Sequence, residues 1–69
     1  MYKMNASFDI MRTGKCYSLT NYGEQWKFEV MEIFDNNDFR IKMIDTLEEQ
    51  LLSELIAYGK GKDFKFDEL

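Results

Sequence analysis

Two short runs in this chain alternate apolar with charged residues on either side of a polar turn. They are Trp26-Lys27-Phe28-Glu29-Val30 and Phe39-Arg40-Ile41-Lys42-Met43, separated in part by Asp35-Asn36-Asn37-Asp38. Successive side chains on a strand point to opposite faces, so the pattern is that of an antiparallel hairpin with one dry and one wet face. The register that sets Phe28 opposite Met43 and Val30 opposite Ile41 also sets Glu29 opposite Lys42 on the wet side. Such a cross-strand charge pair contributes about 0.2–1 kcal/mol.

Within the first run the parity changes. Trp26, Phe28 and Val30 share one face, whereas Met31 and Ile33 take the other. A phase change inside a strand predicts a β-bulge near Val30 and Met31, which also sharpens the twist a small barrel needs. Upstream, Lys15 to Thr20 reads as a strand with Tyr17 and Leu19 on one face and Cys16 on the other. Asn21-Tyr22-Gly23-Glu24 is its stop signal, because Asn and Gly tolerate turn geometry. Downstream, Gly59-Lys60-Gly61-Lys62-Asp63 reads as a loop, and Phe64-Lys65-Phe66-Asp67 as a last alternating strand.

The segment between these regions supports two readings. Thr46-Leu47-Glu48-Glu49 fits a capping box, and Leu47, Leu51, Leu52, Leu55 and Ile56 recur at helical spacing, which gives one helix from Leu47 to Tyr58. Alternatively Asp45-Thr46-Leu47-Glu48 is a tight turn, Glu49-Gln50-Leu51-Leu52 a short strand, and Ser53 caps a single helical turn from Glu54 to Tyr58. Either version ends at Gly59, where a glycine adopts the left-handed conformation that stops a helix.

At 69 residues there is room for one domain. Residues 14 to 69 account for it, with 1 to 13 as an N-terminal extension whose structure the pattern leaves open. So short a chain needs large apolar side chains, and six Phe, four Tyr and one Trp supply them. Trp26, Phe28, Phe39, Phe64 and Phe66 are read as core, while Tyr17, Tyr22 and Tyr58 are left open. Phe8, Ile10 and Met11 have no assigned partner. Either they pair with the barrel's own edge or they join two copies of the chain, so the expectation is a monomer or a homodimer.

The order of pieces resembles a known architecture. The residues that carry the likeness are Gly14-Lys15-x-Tyr17-x-Leu19, Phe39-Arg40-Ile41-Lys42, Asp45-Thr46-Leu47-Glu48, Leu52-Ser53-Glu54-Leu55-Ile56 and Tyr58-Gly59-Lys60-Gly61-Lys62-Asp63-Phe64. Together they are similar to a group of small uncharacterised bacterial SH3-like proteins over residues 14 to 69. The resemblance implies a mainly β fold: a single small, partly open SH3-like barrel of about five strands, with one short helix before the last. It implies no activity, and fold alone does not give function.

The chemistry is set mostly by what is missing. With no histidine, the commonest general base and metal ligand is lacking, and neither a Ser-His-Asp nor a Cys-His nucleophile can be assembled within one chain. Cys16 alone makes neither an intramolecular disulfide nor a zinc site, and a passive thiol in a reducing compartment is the simpler reading. The acidic pairs Asp35 with Asp38, Glu48 with Glu49 and Asp67 with Glu68 are read as solvated surface. Asp35 to Asp38 begins like a calcium loop, but Phe39 and Arg40 stand where ligand and glycine are required. Gly59 to Lys62 lacks the Walker spacing. No enzyme and no cofactor are expected.

No signal peptide or membrane span is evident, so the expectation is cytoplasmic. The net charge of −4 argues against general nucleic-acid binding. The leading expectation is a non-catalytic binding or interaction module whose partner is another protein or a peptide. Its candidate binding residues are Tyr22 and Tyr58, if the two meet at one rim, together with Lys60, Lys62 and Lys65. One alternative is a weak single-stranded nucleic-acid binder using the 58–65 region, with Arg40 and Lys42 adding charge. Another is an acidic protein inhibitor. Interleaved surface charges would favour the generic module over both.

Overall fold

The computed structural model describes residues 10 to 69. Along the chain it forms β1 (Cys16–Asn21), β2 (Glu24–Ile33), β3 (Phe39–Met43), β4 (Glu49–Leu51), the single helical turn α1 (Leu52–Leu55) and β5 (Lys65–Glu68). The five strands make one antiparallel sheet in the order β4-β3-β2-β1-β5. Its two end strands do not pair with each other, so the fold is mainly β, as the alternation predicts, and partly open.

The central hairpin has the expected register, with Phe28 opposite Met43, Glu29 opposite Lys42 and Val30 opposite Ile41. The next pair is Glu32 with Arg40, then Ile33 with Phe39, which leaves Met31 as the extra residue of a bulge. The skip has a clear cause. An unbroken ladder would turn Glu32 towards the core and Ile33 away from it, and an unpaired buried carboxylate is costly.

Tyr17, Leu19, Phe28, Val30 and Ile41 are completely or almost completely buried, and Phe39, Met43 and Phe66 nearly so. Leu52 and Leu55 of α1 complete the same cluster. Each of these side chains contributes about 1.5–3 kcal/mol by leaving water. Tyr17, left open by the sequence, is core: its ring stacks on Phe66 at 5.4 Å between centroids. Its hydroxyl accepts a 2.8 Å hydrogen bond from the Arg12 N–H and donates to the Ile10 carbonyl.

Two expectations need correction. Trp26 and Phe64 are only partly buried and pack against the cluster from outside it. Met11, which had no assigned partner, is 3% exposed and belongs to the core, whereas Ile10 is exposed. Phe8 lies outside the described residues.

Between Asp45 and Gly59 the divided reading holds, but the strand ends at Leu51 and the helical turn is Leu52–Leu55, not Glu54 to Tyr58. Leu47 has φ 64°, which no helix accommodates, and β4 pairs with β3 through Arg40–Leu51, Ile41–Gln50 and Lys42–Glu49. Pairing with β3 satisfies backbone groups that a continuous helix would leave without a partner. The cap, however, is not Ser53. The Asp38 carboxylate accepts hydrogen bonds from the Ser53 N–H at 3.1 Å and the Ser53 hydroxyl at 2.7 Å.

The outer face of the sheet carries alternating charge. Arg40 bridges Glu32 and Glu49, and Lys65 lies 3.7 Å from Asp67. Glu29 faces Lys42 across the hairpin. Among the described residues no helix is long and apolar enough to cross a membrane.

Candidate functional site

Two surface features result from this fold. The first is a rim where the β1–β2 turn meets the loop before β5. Tyr22 and Gly23 are the two central residues of that turn, with φ 51° and 79°. Positive φ at both positions matches the twist of a two-residue hairpin but strains a tyrosine. Tertiary bonds hold it there. The Asp63 carboxylate accepts from the Tyr22 N–H at 2.9 Å and the Gly23 N–H at 2.7 Å, and the Tyr22 hydroxyl donates to the Tyr58 carbonyl at 2.9 Å. The Gly23 and Tyr22 bonds favour the ionised carboxylate and, against the opposing effect of desolvation, keep Asp63 below its ordinary value.

Beneath this rim lies Asn21, a fully buried polar residue. Its side-chain amide donates to the Gly59 carbonyl at 3.0 Å and the Leu55 carbonyl at 3.3 Å, and its oxygen accepts the Gly61 N–H at 2.7 Å. One side chain therefore closes the loop after α1 onto the end of β1. Gly61 lies against the Tyr22 ring so closely that an added Cβ would stand 2.9 Å from its Cδ1.

The structure brings Tyr22, Tyr58 and the Lys60–Gly61 loop together. The two tyrosines meet through a hydroxyl and a main-chain carbonyl, and Tyr58 is 92% exposed. Lys60 sets its ammonium 4.9 Å from the centroid of the Phe64 ring, a cation–π contact. Lys62 is exposed in the turn before Asp63. Lys65 is directed elsewhere, onto the outer face of β5 beside Asp67.

The second feature lies away from all the candidate binding residues. A groove of about 520 Å³ opens between the start of β2 and the β3–β4 turn, lined by Trp26, Met43 and Ile44 with a polar border that includes Asp45, Glu48 and Gln50. Ile44 is tied to β2 by its N–H, which donates to the Lys27 carbonyl at 3.0 Å. Leu47 closes the turn on the Met43 carbonyl at 2.9 Å, and the Glu48 N–H donates to the Thr46 hydroxyl at 3.3 Å. Leu47 itself is 66% exposed in a left-handed conformation.

Asn21 and Trp26 have roles that the sequence pattern does not show, although Asn21 does end β1 as expected. Asn21 looked like a turn residue, and nothing local marks an asparagine whose partners lie about forty residues away. Trp26 has the parity of core, and it does face inward, yet the sheet ends beside it and leaves one side of the indole to the groove. The exposed pair Ile44 and Leu47, flanking acidic residues in a turn, was the one available sign.

Among the described residues no group of three or more His, Cys, Asp or Glu is placed to hold a metal ion. No family model matches the chain, and neither a curated protein nor a solved structure gives a significant match.

Proposed function

We propose that this chain is a small non-catalytic binding module that docks a segment of a partner protein in the groove beside Trp26. The observation that carries this reading is the half-buried indole lining a concavity with apolar walls and a polar border, which is the usual make-up of a binding site. Tryptophan is also enriched among residues that dominate interface energetics. The interleaved charges of the outer face support an interaction module over both a basic nucleic-acid surface and an acidic inhibitor.

Affinity capture with the full chain and an Ile44→Glu variant tests the reading. Ile44 is exposed, so the variant should keep the parent's melting temperature while placing a charge on the groove wall. The expected result is a partner protein recovered by the parent and lost with Ile44→Glu. A partner retained by that variant but lost with Lys60→Glu/Lys62→Glu would move the site to the tyrosine rim. Nucleic acid as the only captured species would favour the strand-binding alternative.

A further inference from the structure

We infer that the groove selects an arginine side chain from its partner, stacking the guanidinium on Trp26 and pairing it with Asp45 and Glu48. This deepens the proposed binding function and rests on it. Asp38 and Asp63 are engaged by backbone N–H groups, and Glu32, Glu49 and Asp67 by cations. Asp45 and Glu48 border the groove and form no ion pair among the described residues, so both charges are available to a ligand.

The one cation in the groove's border does not neutralise them from within. Lys27 lies opposite Ser18 in the sheet, and strand alternation sends its side chain to the face opposite Trp26. The Lys27 backbone carbonyl accepts from the Ile44 N–H. Among the described residues the groove therefore has an aromatic wall, an acidic border and no opposing ammonium.

The turn holds this arrangement in place. Ile44 is anchored to β2, Leu47 to Met43 and Glu48 to Thr46, so Asp45 and Glu48 sit on a backbone fixed at three points. Carboxylates carried on an anchored turn beside an indole match a planar cation better than a compact one. A guanidinium lies flat on an aromatic face while its fork of N–H groups reaches carboxylate oxygens, whereas an ammonium is a strongly hydrated point charge. The aliphatic stem of the arginine would lie along Met43 and Ile44. The Trp26 indole N–H has no partner among the described residues and is free to donate to a peptide carbonyl.

Trp26 is the chain's single tryptophan, so its fluorescence reports the groove directly. The full-length protein would be titrated with a blocked pentapeptide bearing one arginine between alanines, and with the same peptide carrying citrulline or lysine instead. The expected result is a saturable change in Trp26 emission with the arginine peptide, weakened by added salt and at least about fivefold weaker with citrulline. Asp45→Asn/Glu48→Gln should lose the preference for arginine while melting like the parent, since both side chains are exposed. Equal binding of arginine and citrulline peptides would overturn the inference while leaving the groove a docking site. Tighter binding of the lysine peptide would also overturn it, as would the absence of any response. In that last case the Ile44→Glu capture decides separately whether the groove binds a partner. Trp26 emission that changes with protein concentration alone would assign the groove to a second copy of the chain and overturn the inference.

Discussion

The carboxylate of Asp38, in the turn between β2 and β3, caps the helical turn Leu52–Leu55 by accepting from both the N–H and the hydroxyl of Ser53, fifteen residues further along the chain. A four-residue helix cannot hold itself together, because the first turn fixes several residues in return for one hydrogen bond. Its buried Leu52 and Leu55 supply the packing, and Asp38 supplies the start. Partial burial raises the Asp38 pKa, but the bonds from the Ser53 hydroxyl and the Phe39 and Ser53 N–H groups outweigh it and leave the group below its ordinary value.

Asp38→Ala should therefore destabilise the protein by about 1 kcal/mol, the usual loss on removing a cap. Thermal melts at neutral pH would check it, and a change within error would show that Leu52 and Leu55 hold the turn unaided.

Acid should weaken the fold through the same group and through Asp63. Both folded pKa values are depressed, so the stabilisation is complete above the unfolded carboxylate value and is lost as pH falls through the folded values. The parent should lose melting temperature below about pH 4, and Asp38→Ala should lose less than the parent over the same range. Parallel pH profiles for the two proteins would refute the assignment.

Asn21→Ala should cost about 1–3 kcal/mol, because it leaves the Gly61 N–H and the Gly59 and Leu55 carbonyls without their partner in a buried site. Urea denaturation measures the loss. NMR shifts at Tyr22 and Gly61 should accompany it, since Asn21 places the loop on which Tyr22 rests.

Gly61→Ala tests the rim more gently. Its Cβ would meet the Tyr22 ring at 2.9 Å and the Asn21 Oδ1 at 3.2 Å, and the exposed ring is the partner free to move. The expected outcome is a displaced Tyr22 and loss of its bond to the Tyr58 carbonyl, with the core signals unchanged.

Phe28→Ala should cost about 3–5 kcal/mol, the usual loss for a fully buried ring. In a chain this short that approaches the whole stability. A variant that melts within a few degrees of the parent would overturn the assignment of Phe28 to the core.

The sequence by itself determined the central hairpin. Phe28, Val30, Ile41 and Met43 reach one face in a single register, and shifting it by one residue would bury Glu29 and Lys42 instead. The same logic exposed the bulge at Met31, because charge and parity conflict there within a few residues of each other. These features are local, and burial of apolar surface is a strong enough term to be read from a pattern.

Only the tertiary structure decided the rest. The stretch after Asp45 satisfies helical spacing and strand spacing alike, and the open edge of β3 settles it by offering hydrogen bonds to β4. Asn21 and Asp38 are ordinary turn residues in sequence. They become a loop clasp and a helix cap because folding sets unpaired backbone groups within reach of them, at separations no local pattern records. Trp26 shows the limit most plainly: alternation correctly turns it inward, but whether an inward side chain is covered depends on where the sheet ends, and that is a property of the assembled fold.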